Sequence, residues 1–203
     1  MLRSLPLYPM TDTPATPDLA HELQLWHAGH RAVAGVDEAG RGALAGPVVA
    51  AAVILPCHAP LAGVWAAVRD SKLLRPAARV RLAQQIQAEA AAWAVGVVPA
   101  PLIDAMGIAA ATRRAMAEAI AALRPAPDAL LVDWVRLPLV HLPQLCVAKA
   151  DSRMVSVAAA SILAKVARDR LLAELDAVYP AYGFAHHKGY GTRQHLAALA
   201  EAG

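Results

Sequence analysis

Three short apolar runs in this chain each lead into a carboxylate. Residues 33–36 run into Asp37, residues 129–132 into Asp133, and residues 145–147 into Lys149 and Asp151. Short runs of Val, Leu and Ile bounded by turn residues read as buried strands. An ionisable group fits such a strand only at its end, where water or a ligand can reach it. The chain is therefore expected to form a sheet whose strand ends present acids.

A second Val- and Ile-rich run, residues 47–55, follows the first across a glycine-rich turn, which predicts a hairpin. Residues 75–92 carry Val80, Leu82, Ile86 and Ala90 at helical spacing, and residues 93–98 then alternate like a strand. Pro99 and Pro101 mark the next boundary, residues 103–123 read as one helix, and Pro125 and Pro127 end it. A long helix is expected from about residue 153 to 178, stopped by Pro180, with a basic loop at 186–192 and a last helix from about Arg193. Strands that begin as a meander and later alternate with helices predict an α/β fold, a mixed sheet with helices on its faces.

Residues 1–30 read as a flexible leader, 1–18, and a short amphipathic helix, 19–28, with Leu23, Leu25 and Trp26 as its apolar contacts. Residues 31–203 form one domain, including a helical C-terminal part from about residue 180; no internal repeat is present. Hydrophobic residues make up 58% of the chain, but alanine dominates them. The longest apolar stretch, 43–55, is broken by Gly46 and Pro47 and falls short of the roughly 20 residues of a membrane span. The first thirty residues lack the apolar centre of a secretion signal. Cys57 and Cys146 show no CxxC or Cys/His spacing, which argues against a zinc site or a disulfide framework and favours a reducing cytoplasm.

The densest chemistry lies in Val36-Asp37-Glu38-Ala39-Gly40-Arg41-Gly42, with Gly46-Pro47 following. Neighbouring strand residues point to opposite faces. For Asp37 and Glu38 to share a site, the strand should end near Asp37 and the turn should carry Glu38 back. Each acid also has a plainer reading: Asp37 and Glu38 as surface acids of a tight hairpin, Asp133 as a strand-end surface acid, Asp151 as the cap of the following helix. Taken together, four carboxylates suit a pair of hard divalent cations acting on a phosphodiester. With those four set aside, 19 basic residues face 12 acidic ones, a balance that favours a polyanion.

The chain has only four lysines. Lys72 in Asp70-Ser71-Lys72, Lys149, and Lys188 in the 186–192 loop lie in or beside the motifs, where compact cations suit phosphate oxygens; Lys165 reads as a solvated surface residue. Tyr190, between two glycines, either lies against a sugar or base or packs under its loop. His186 and His187 read as polar surface.

These motifs, in their order and spacing, resemble the ribonuclease HII family, the bacterial type 2 ribonucleases H. The resemblance rests on residues 35–42 with Gly46-Pro47-Val48, Asp70-Ser71-Lys72, Leu131-Val132-Asp133, Lys149-Ala150-Asp151-Ser152, residues 158–166 with Arg168-Asp169-Arg170, and residues 179–192. It implies a ribonuclease H-like five-stranded mixed sheet with a small helical C-terminal part. It implies an endonuclease acting on RNA/DNA hybrids and 5′ of ribonucleotides in DNA, leaving 3′-hydroxyl and 5′-phosphate ends, with a catalytically silent hybrid-binding module as the alternative. Asp37, Glu38, Asp133 and Asp151 would bind two Mg2+ or Mn2+ ions, Asp37 bridging them. Gly40, Arg41 and Gly42 would read the 2′-hydroxyl and its phosphate through the backbone, and Tyr190 would stack on the sugar of the next deoxynucleotide. No membrane partner is implied, and a monomer is expected. The chain departs from the family pattern at Trp134 and Ala150, where Gly is common, and at Leu73, where a second Lys is common. The family's usual C-terminal tail is counted as missing after Gly203, and the stretch before residue 30 as long for the family.

Overall fold

The structure, a computed structural model, describes residues 16–203. Five strands, β1 (Val33–Ala39), β2 (Val48–Ile54), β3 (Ala92–Val98), β4 (Ala129–Asp133) and β5 (Gln144–Val147), form one sheet in the order β3-β2-β1-β4-β5. The first three make the expected antiparallel meander, and β1–β4 and β4–β5 are parallel. The helices are α1 (Ala20–His27), α2 (Val64–Ala67), α3 (Pro76–Glu89), α4 (Ala100–Met106), α5 (Ile108–Ala122), α6 (Val155–Val178), α7 (Phe184–His187) and α8 (Arg193–Ala202).

Strand alternation divides the core between the two faces. Val33, Ala51, Val53, Ala129 and Leu131 face α1, α3 and α6, while Ala34, Val36, Ala50, Leu130 and Val132 face α4 and α5. Asp37 and Asp133 continue the first series and so emerge on the α6 face. α6 lies hard against β1 at Gly35, where a Cβ would stand 2.2 Å from the carbonyl carbon of Ser156. Any larger residue would lift the helix, and with it the turn before α6 that carries Asp151.

Several expectations are corrected. The helix expected over 103–123 is two helices, broken at Gly107, whose φ of +79° suits glycine. Pro99 and Pro101 mark the boundary as expected, Pro99 as the N-cap of α4 and Pro101 in its first turn, where its missing N–H costs no helical hydrogen bond, so the helix begins at Ala100 and not at Ile103. α6 begins at Val155, after a 3-10 turn at Ala150–Ser152. Leu25 and Trp26 of α1 are buried as expected, but Leu23 is exposed. Of the expected leader, residues 1–15 lie outside the described residues. Asp18 is tied down: its N–H donates to Arg153 O at 3.0 Å, and its carbonyl accepts from Val155 N at 3.2 Å. Among the described residues, no helix is long and apolar enough to cross a membrane.

Candidate active site

The parallel register pairs Val36 with Val132 and stops there. Asp37 and Asp133, each one residue further on, therefore leave neighbouring strands at the same level. On its other side β1 keeps pairing with β2 through Ala39, so the strand does not end near Asp37 as the sequence suggested. Glu38 reaches the site because β4 stops pairing, which leaves that edge of β1 open. The Glu38 N–H donates to Asp37 Oδ1 at 2.7 Å. Carboxylate oxygens of Asp37, Glu38 and Asp133 all lie within 4.8 Å of one another. Asp151 lines the same cleft of about 270 Å³ but stands outside that trio, its Oδ2 3.5 Å from Lys72 Nζ. The Ala150 N–H donates to Asp133 Oδ1 at 2.8 Å, which fastens the Asp151 turn to the end of β4.

Burial and mutual repulsion act on these acids. The Asp37 carboxyl is held well above the usual carboxylate range by burial and then by the charges of Glu38 and Asp133, against a hydrogen bond from Ser161. Glu38 is pushed up to about 7 by burial and then by Asp133, with the Trp134 N–H and the Arg41 charge opposing. Asp133 is raised chiefly by burial, while the Ala150 N–H opposes. Glu38 Oε2 is buried with no hydrogen-bond partner among the described residues. Crowded, desolvated oxygens with an orphaned lone pair are what a hard divalent cation takes as ligands, so the donor set fits such a cation.

The opposite wall is built from the glycine-rich turn and the Tyr190 loop. Gly40 has φ +99°, and a Cβ there would stand 2.1 Å from Arg168 Nε. Arg168 of α6 is fully buried, and its guanidinium donates to Pro47 O (2.9 Å), Ala45 O (3.0 Å) and Lys188 O (2.8 Å). Leu44 and Ala45 N–H groups both donate to Gly189 O, at 2.9 and 3.3 Å, so the two loops are bonded directly as well. Tyr190 lines the cleft with Lys165 Nζ and the Arg168 guanidinium each 5.2 Å from its ring centre. Below it, His195 Nδ1 lies 3.0 Å from Tyr190 O, and the Gly189 N–H donates to His187 Nδ1 at 3.2 Å. His187 is thus buried beneath the loop, against the expectation of polar surface; His186 is exposed.

Gly40, Arg41, Gly42, Lys72 and Tyr190 line the cleft with the four acids. Two expected contacts are not brought to it. Lys149 is exposed on its turn with φ +58°, and Lys188 donates its ammonium to Ala185 O at 2.9 Å and faces a separate groove beside Arg79 and Trp93. Three residues were missed. Ser161 hydrogen-bonds Asp37, Lys165 lines the cleft while bonded to Asp169 at 2.7 Å, and Arg168 joins the loops. Their spacing, i, i+4 and i+7 on the helix, marks one face and was the available signal.

A mixed five-stranded sheet with acids side by side on adjacent inner strands, where their parallel pairing stops, defines a ribonuclease H-like nuclease fold. The ribonuclease HII family model matches residues 34–203. Curated relatives include ribonuclease HII of Chloroflexus aurantiacus, 53% identical over 188 residues, 92% of this chain and 89% of that protein. Another is ribonuclease HII of Geobacillus thermodenitrificans, 54% identical over 185 residues, 91% of this chain and 70% of that protein. The crystal structure of ribonuclease H2 from Pyrococcus horikoshii OT3 superposes with a TM-score of 0.72 at 28% identity, covering 84% of this chain and 85% of that one. The chain belongs to the ribonuclease HII family.

Proposed function

We propose that this chain is an endonuclease that hydrolyses the RNA strand of RNA/DNA hybrids and nicks duplex DNA on the 5′ side of embedded ribonucleotides, leaving 3′-hydroxyl and 5′-phosphate ends. One observation carries the reading: three carboxylates within 4.8 Å of one another share a cleft with the Gly40–Gly42 bend and Tyr190. Asp37, Glu38, Asp133 and Asp151 would hold two Mg2+ or Mn2+ ions. Such a pair supplies an activated water on one side of the phosphodiester and stabilises the leaving oxygen on the other.

The chain's own groups do the rest. The Ser161 hydrogen bond and the Ala150 N–H hold Asp37 and Asp133 in place. Lys72, most of its side chain in solvent, offers its ammonium to phosphate oxygens beside Asp151. The bend at residues 40–42 brings backbone close to the 2′-hydroxyl, the group that separates RNA from DNA. Tyr190, at a distance from that bend fixed through Arg168, receives the following deoxyribose. The cleft is complete within one chain, which supports action as a monomer, and the two free cysteines support a cytoplasmic setting.

The test is incubation of the purified protein with a DNA duplex holding one ribonucleotide, in manganese and in chelator. The expected outcome is a manganese-dependent nick 5′ of the ribonucleotide. Binding with no cut in manganese rejects the enzyme and leaves a hybrid-binding module.

A further inference from the structure

Trp134 follows Asp133 directly and has φ +48°, a left-handed conformation that a bulky side chain adopts only at a cost. Strain of this kind persists where surrounding contacts fix it. The Trp134 N–H donates to Val147 O at 3.0 Å, which anchors the backbone to β5. The indole then meets two residues of the cleft. The Arg41 guanidinium carbon lies 3.7 Å from its ring centre, and Nε1–H reaches Glu38 Oε1 at 3.4 Å, a long hydrogen bond. The ring is still 37% exposed, so this stack stands at the mouth of the cleft and is not part of the core.

Stacking leaves a guanidinium with its chemistry intact. The flat face is covered, while the N–H donors point outward in the plane, free to meet a phosphate two at a time. An unattached arginine loses several rotatable bonds' worth of freedom when it binds, whereas one already laid on a ring has lost much of it.

We propose that Trp134 is a positioning residue whose indole face holds the Arg41 guanidinium at the cleft mouth, oriented toward a phosphate of the bound hybrid. This deepens the hybrid-endonuclease reading and rests on it. It gives the Arg41 side chain a task separate from that of the backbone it sits on, and it ties that task to a residue just beyond the end of β4. Loss of the ring should act on affinity, through Arg41, and leave the chemical step largely alone.

The test uses the full chain and four variants: W134F, W134L, R41A and the double variant W134L/R41A. In the absence of substrate, NMR should show the Arg41 Nε proton shifted upfield by the ring in the parent and in W134F, and returned to its ordinary position in W134L. Hybrid binding, read by fluorescence anisotropy in chelator, should weaken about two- to fivefold in W134L, the change expected from an exposed cation–π contact. W134F should bind like the parent, and W134L/R41A should bind no worse than R41A alone. In manganese, W134L should raise KM with kcat little changed. Should W134L fail to fold, W134G, which removes both the ring and the backbone strain, makes the same comparison. Additive losses in the double variant, or an Arg41 signal that ignores the ring, overturn the inference while leaving cleavage by the parent untouched. A parent that binds no hybrid overturns the inference and the proposed function together.

Discussion

On one side of the cleft, Asp37, Glu38 and Asp133 crowd within 4.8 Å and leave Glu38 Oε2 unpartnered among the described residues; on the other, Arg168 gives its guanidinium to three carbonyls at 2.8–3.0 Å. The first wall is electrostatically incomplete, and burial and like charge push its acids toward protonation. The second is satisfied by the chain itself. Two neighbouring strands can be held rigidly by the sheet while the charges they carry remain unbalanced, so the first wall can wait for cations. Two loops have no sheet to hold them, so their spacing must be bonded in directly.

The largest effect that follows from this contrast belongs to Asp37→Asn. Cleavage should be abolished in manganese, since the most buried member of the trio loses its charge. Hybrid binding in chelator should be retained. Removing a carboxylate that burial and its neighbours disfavour should also stabilise the metal-free protein by on the order of 1 kcal/mol, as relief of a strained site commonly does. A gel assay and thermal melts with and without manganese check both parts; substantial manganese-dependent cutting by the variant would break the contrast.

Arg168→Met attacks the other wall and should leave the first intact. Three carbonyls lose their donor at once, one of them buried and two half-buried, so a loss of about 2 kcal/mol is expected, about 1 kcal/mol for the buried acceptor and less for each of the others. Hydrogen exchange should speed up across residues 44–47 and 188–190, and manganese binding read by calorimetry should change little. If manganese affinity fell as far as the loop protection, the two walls would be one cooperative unit and the distinction would fail.

The sequence made the acid wall legible because its signal is local: an apolar run followed by an acid says that a strand end carries a charge. It could not supply register. That Asp37 and Asp133 leave their strands side by side follows from the pairing of Val36 with Val132, and Glu38 joins them because that pairing ends, though β1 itself goes on. The loop wall was legible only as a set of motifs. Lys188 sits in the right motif, yet its ammonium turns back to Ala185 O, because position in a loop does not fix where a side chain points. Lys165 read as a solvated surface residue, and Arg168 was legible only as part of a motif, since its partners lie far away in sequence, Pro47 across 121 positions. The single helix expected over 103–123 missed its break because one glycine in a helical pattern is often tolerated, whereas Gly107 adopts a conformation no helix contains.

The smallest effect tests burial without crowding. Glu22 of α1 is fully buried, and its Oε1 accepts from the Ser156 N–H and hydroxyl at 2.8 and 2.7 Å at the start of α6. Burial raises it from 4.5 to about 7, with the Ser156 bonds opposing and Asp18 adding a lesser push. A carboxyl that is harder to ionise in the fold than in the open chain favours the fold while both states are protonated. That contribution is full below pH 4.5 and is lost as pH rises through about 7, by an amount on the order of 3 kcal/mol for a shift of this size. Glu22→Gln keeps an oxygen for the Ser156 donors and cannot ionise. Urea melts of parent and variant should agree most closely at pH 4.5, with the variant gaining relative to the parent at pH 8 and hybrid cleavage unchanged. A stability difference that stays flat between those pH values would mean that burial alone does not raise a carboxyl in this fold, and the raised acids of the cleft would then have to be ascribed to their mutual repulsion.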